Sequence, residues 1–183
     1  MKFYRYDISF LRFKEAGVAY PVYIVNEAKT PLIISKDKNT FKLFLSDVGL
    51  LSSTFPFSVR EYLLNDKVDK YNNGAIFENF VAQELNSNEI VPYYYKSTAI
   101  GEIDFLIEFE NKIMLIEVKS GNDYKKHKAL DNFLKAFPES AVDPVVFSKE
   151  NVFIEKNKAY LPIYMVAFLK KKKSKGWCGA NGR

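Results

Sequence analysis

The sequence predicts an α/β domain, a mixed sheet flanked by helices, and three observations carry that prediction. From residue 74 onward a stretch of helical period is followed by short strands, a second helix and further strands. The strand 113 to 119 is apolar on both faces through Ile116, the pattern of an internal strand covered from both sides. Apolar residues make up 48% of the 183 residues and aromatics 16%, enough to build a core and to exclude a disordered chain.

Along the chain, residues 6 to 16 have the pattern of a short helix ending at Gly17, a C-cap, and VAYPVYIV (18 to 25) reads as a strand. KTPLIIS and NTFKLFLSDVGLLSS follow. The second reads as a strand that ends at Asp47 and runs into a helical turn, with Asp47 as its N-cap. Residues 1–70 are thus expected to form a small mixed segment, ahead of a second domain over 71–169.

In that second domain GAIFENFVAQELNSN (74 to 88) has apolar residues at 76, 77, 80, 81 and 85, one face of a helix. Pro92 to Lys96 is a short aromatic strand, and 102 to 109 with 112 to 119 form a hairpin turned at Glu110, Asn111 and Lys112. Residues 123 to 137 read as an amphipathic helix with Leu130, Phe133, Leu134 and Phe137 inward, stopped by Pro138. A strand over 142 to 148 and the segment 160 to 169 close the domain.

The net charge of +5 belongs mostly to the end of the chain. Residues 170–183 hold six basic residues and no acidic ones, leaving a body of 21 basic against 22 acidic residues. That lysine run reads as a solvated, disordered tail. A single cysteine, Cys178, excludes an internal disulfide, and a single histidine, His127, leaves no Cys/His zinc cluster. A bound metal would therefore take oxygen ligands, which favours magnesium or manganese. With no signal-peptide pattern and no membrane-length apolar run, the sequence reads as cytoplasmic and without a membrane partner.

The hairpin carries charges where apolar side chains are expected: Asp104 on one strand, Glu117 and Lys119 on the other. A two-residue turn at Glu110 and Asn111 sets Asp104 opposite Glu117, whereas a turn at Asn111 and Lys112 sets it opposite Lys119. In either register Asp104 lies beside both. Two like charges so placed repel unless compensated, and a divalent cation compensates them. Glu78, at the edge of the apolar face of the first helix, is a third acid within reach of the same site. Carboxylates on a cation suit phosphodiester hydrolysis, with Lys119 orienting the attacking water or holding the phosphate. An ordinary strand-end ion pair is the simpler alternative.

Asp104 followed by Glu117-Val118-Lys119, behind an acidic helix and ahead of another helix and strand, resembles the PD-(D/E)xK nuclease superfamily and its restriction-endonuclease-like fold. FKLFLSDVGLLSS, GAIFENFVAQEL, YYYKSTAIGEIDFLIE and IMLIEVKSG also resemble, in order and spacing, an uncharacterised domain found C-terminal to the core of archaeal and bacterial AAA-type ATPases. The resemblance implies a winged-helix-derived segment before the nuclease-like core. It also implies Glu78, Asp104 and Glu117 as metal ligands, Lys119 as the catalytic lysine, nucleic acid (DNA foremost) as substrate, and an ATPase core as partner in cis or in trans. Ile103 stands where the superfamily often has a proline. No GxxxxGK[ST] occurs, so no ATP site of that type is expected in this chain. The alternative is a nuclease fold kept for DNA binding or protein docking without catalysis.

Overall fold

The computed structural model describes residues 12–64, 73–109, 112–138 and 142–170. Eight strands form one mixed sheet: β1 (Ala19–Val25), β2 (Lys36–Leu45), β3 (Tyr93–Ser97), β4 (Gly101–Phe109), β5 (Lys112–Val118), β6 (Val142–Ser148), β7 (Phe153–Glu155) and β8 (Lys158–Pro162). Their order across the sheet is β2-β1-β3-β4-β5-β6-β8-β7. The helices are α1 (Val48–Ser53), α2 (Phe57–Leu64), α3 (Gly74–Ser87) and α4 (Lys128–Ala136). This is the predicted α/β architecture, a mixed sheet flanked by helices. Among the described residues no helix is long and apolar enough to cross a membrane.

The strands β4 and β5 sit near the middle of the sheet, antiparallel to each other, and β5 runs parallel to β6 through the crossover helix α4. Each face of these strands meets its own layer. Phe105, Ile107, Met114 and Ile116 pack on one side with Val81, Ala82 and Leu85 of α3. Ile103, Leu106, Ile113 and Leu115 pack on the other with Leu130 and Phe133 of α4. Both faces of β5 are therefore apolar because both are covered, as its sequence implied.

The segment before residue 71 contributes β1 and β2 to this same sheet, since β1 pairs in parallel with β3. The expected boundary at residue 70 falls outside the described residues, as do most of the helix expected over 6 to 16 and all of the basic tail beyond Lys170. Asp47 does cap α1, its Oδ1 accepting from the Leu50 N–H at 3.0 Å. Gly49 fits beside that cap because a Cβ there would lie 2.7 Å from Asp47 Oδ1. Asn79, buried on α3, donates to and accepts from the backbone of Leu45 and so ties the helix to β2.

Three expected elements differ. The helix expected from 123 starts only at Lys128, because His127 turns its ring into the core, 5% exposed, with a backbone that is not helical. Phe137 lies past the end of that helix and is 41% exposed, so it is not an inward residue. The segment 160 to 169 divides into β8 and a 3-10 turn, Ile163–Phe168, broken at Pro162.

Candidate metal and catalytic site

The ladder of β4 and β5 pairs Phe109 with Lys112, Ile107 with Met114 and Phe105 with Ile116. Of the two registers the sequence allowed, this is the one that, continued by a residue, sets Asp104 across from Glu117. The regular pairing stops at Phe105 and Ile116. Beyond it the Val118 N–H donates to Asp104 Oδ2 at 2.8 Å, so a side-chain carboxylate takes the place of a backbone acceptor. The Lys119 N–H turns the other way, donating to the Phe147 carbonyl of β6 at 2.8 Å.

On its other edge β4 is irregular at the same point. Tyr93 pairs with Leu106 and Tyr95 with Ile103, so two steps along β3 match three along β4. The extra residue lies in the Asp104–Phe105 stretch. Bulges of this kind re-aim a side chain, and this one lets Ile103 and Leu106 share a core face with Asp104 between them.

Glu117 is 5% exposed. Its Oε1 accepts from Lys119 Nζ at 2.7 Å, while Oε2 has no hydrogen-bond partner among the described residues. Leaving a buried acceptor unpaired is costly, more so when it carries charge. Burial pushes the Glu117 carboxyl up despite the opposing pull of Lys119. Burial, then the charges of Glu117 and Glu78, push Asp104 up to about 8. Asp104, Glu117 and Glu78 thus act on one another electrostatically. They are not gathered as a preformed centre, for among the described residues no three His, Cys, Asp or Glu side chains are grouped to hold a metal ion.

Glu78 faces a cation instead. Lys42 of β2 places Nζ 3.5 Å from Glu78 Oε2 and 2.6 Å from Glu102 Oε1. Lys96 takes the other oxygen of Glu102 at 2.7 Å. Lys42 lies over the ring of Tyr94 and feels the charge of Asp104 as well. Neither Lys42 nor Glu102 was marked as a site residue by the sequence, because a lone lysine in an alternating strand reads as solvent-facing. Tyr94 is buried, as an aromatic strand residue in a core should be.

Behind Glu117, on the α4 side, lies a second charged group. His127 Nε2 is 2.7 Å from the Tyr160 hydroxyl, and Lys158 Nζ is 2.6 Å from Asp131 Oδ1. His127 Nδ1 lies 3.3 Å from Asp131 Oδ2, an ion-pair distance without hydrogen-bond geometry. The imidazole is close enough that its charged form favours the Glu117 carboxylate. Lys125 and Lys126, on the turn before α4, are exposed and paired with Glu155 and Asp123.

The donor set suits a hard cation. Magnesium commonly takes one or two protein carboxylates with water and substrate phosphate completing its shell, and Asp104 with the unpartnered oxygen of Glu117 offers that pair.

Residues 73–166 match the family described as "Domain of unknown function (DUF4143)". No curated protein and no solved structure matches the chain. The match spans α3 through most of the final 3-10 turn, and so contains Glu78, Asp104, Glu117 and Lys119, while β1 and β2 precede it. Because it covers just over half of the chain, this protein belongs to the DUF4143 family.

Proposed function

We propose that the chain is a magnesium- or manganese-dependent nuclease domain of PD-(D/E)xK type, hydrolysing phosphodiester bonds of nucleic acid and serving as the C-terminal module of an AAA-type ATPase. The observation that carries the reading is the pair Asp104 and Glu117, two buried or half-buried carboxylates that both hold their protons more tightly than usual, Asp104 in part through the charge of Glu117, while one oxygen of Glu117 is left unpartnered. The order α3, β3, β4, β5, α4, β6 agrees with the order that the superfamily resemblance implies.

In this reading Asp104 and Glu117 hold the cation. Bound there, it would lower the pKa of a coordinated water and stabilise charge on the leaving oxygen. Asp104 is fixed by the Val118 N–H, which leaves its Oδ1 for the ligand. Lys119, partly exposed and 2.7 Å from Glu117 Oε1, aligns the water or holds the phosphate as a point charge. Water adds to phosphorus and gives its proton to solvent, the bond to the leaving oxygen breaks, and that oxygen takes a proton from solvent, leaving a phosphomonoester and a free hydroxyl.

A second reading, a nuclease fold used for DNA binding or docking without turnover, draws on the near-neutral body, since nonspecific nucleic-acid binding usually wants a basic face. Incubation of the chain with labelled single- and double-stranded DNA and RNA separates the two. Metal-dependent cleavage lost in Asp104→Asn and Lys119→Ala supports the nuclease. Salt-sensitive binding with no product under any metal supports the second reading.

A further inference from the structure

The ammonium of Lys42 stands between two carboxylates drawn from two elements, Glu78 of α3 and Glu102 of β4, and the charge of Asp104 of β4 also acts on it. Its side chain is 23% exposed, so most of its length is inside the protein. It comes from β2, ahead of the family match, and reaches the site across the Tyr94 ring. An ammonium with three donors among these acids supplies the compensation that a metal ion would supply at the same place. Glu78 is the acid on which the two demands conflict, since its Oε2 already faces the Lys42 ammonium at 3.5 Å.

We infer that Lys42 is a positioning residue that stands in for a second cation: it ties Glu78 and Glu102 and limits the site to one divalent ion, held by Asp104 and Glu117. The inference rests on the metal-dependent reading above and sharpens it. Two-metal sites place their ions about 3.5–4 Å apart and share carboxylates between them. Here the side that would carry the second ion is filled by a covalently attached charge, which needs no metal concentration to stay in place. The absence of any group of three acids among the described residues accords with this, since Glu78 is turned to Lys42. Glu117, which supplies the ion's second carboxylate in this reading, keeps an unpartnered Oε2.

Manganese titration by calorimetry tests the inference on the full chain, with five variants. The native chain should bind one ion, Glu78→Gln should change its affinity by no more than about twofold, and Asp104→Asn should abolish binding. Lys42→Met should bind a second ion or bind the first at least about tenfold tighter, and Lys42→Met with Glu78→Gln should return to native behaviour. A merely structural lysine would not give a gain that a second substitution at Glu78 reverses. Lys42→Arg, which keeps the charge, should behave as native. Should Lys42→Met fold poorly, Glu78→Gln alone decides: a loss as large as that of Asp104→Asn overturns the inference. So do two ions on the native chain, or a Lys42→Met variant that folds and binds as native. If no variant binds manganese, both this inference and the metal-dependent reading fail. Native binding that depends on Asp104 but is unaltered in folded Lys42→Met sinks the inference alone.

Discussion

The protein holds two clusters of charge beside β5, and they are built in opposite ways. On the α4 side, Lys158 and Asp131 form a close pair with His127 and Tyr160 packed around it. Burial works against the Asp131 carboxylate, yet the hydrogen bond and charge of Lys158 hold its carboxyl below the usual range. At the open end of the β4–β5 hairpin, Asp104 is pushed up to about 8 by burial and by Glu117 and Glu78. In the first cluster the carboxyl is held down by a cation, with His127 Nδ1 the one buried side-chain atom there lacking a hydrogen bond among the described residues; in the second, Asp104 and Glu117 are both pushed up despite the Lys119 pair. A network kept for packing gains from pairing its charges, whereas carboxylates left with raised proton affinity are commoner at binding and catalytic sites.

The largest test of this contrast is removal of the strained charge. Asp104→Asn should stabilise the protein, by on the order of 3 kcal/mol at pH 9, because it deletes an ionised group that the fold disfavours while keeping an acceptor for the Val118 N–H. Urea unfolding at pH 9 measures it, and a loss of stability there would contradict the account. The pH profile follows with a definite sign. The folded chain keeps the Asp104 proton more tightly than the unfolded one, so native stability should fall as pH rises from about 4 to about 8 and then level. Asp131 contributes with the opposite sign, its depressed value giving stability that is present above about 4 and lost as pH falls through the folded value. Asp104→Asn should flatten the first slope and leave the second; Asp131→Asn should do the reverse.

Next in size is the paired cluster. Lys158→Ala strands Asp131 and should cost about 1–2 kcal/mol, moderated because Asp131 is 41% exposed. Thermal unfolding near pH 7 reads this. The smallest effect belongs to Glu102, whose partners Lys42 and Lys96 would be released by Glu102→Gln; the change in stability should be about 0.5 kcal/mol or less.

The fold class was legible because periodicity reports burial. Strand β5 read as internal from its two apolar faces, and α3 was placed to within a residue by its apolar spacing. The start of α4 was not legible: residues 123 to 127 have helical composition, but the burial of His127 against Tyr160 breaks the helix before Lys128. Of the site, Asp104, Glu117 and Lys119 were visible as charges inside an apolar hairpin, and one of the two open registers was realised. Lys42 and Glu102 were invisible. Their meeting depends on β1 pairing with β3, a parallel contact between segments about 70 residues apart in sequence, which no local pattern encodes.

The role assigned to Lys119 also divides the readings of the hairpin. If it serves only as the counter-ion of Glu117, Lys119→Met should leave an even more unfavourable buried carboxylate and lower stability by about 1–3 kcal/mol. A catalytic lysine predicts in addition that any metal-dependent cleavage falls by at least about a hundredfold while manganese binding persists.

The most direct measurement of the central claim is manganese binding to the native chain compared with Asp104→Asn and Glu117→Gln, each checked for folding by circular dichroism. The account predicts saturable binding by the native chain and its loss in both folded variants. Binding that is unchanged in either variant, or no binding by the native chain even with a nucleic-acid oligomer present, would contradict the assignment of these two carboxylates to a metal site.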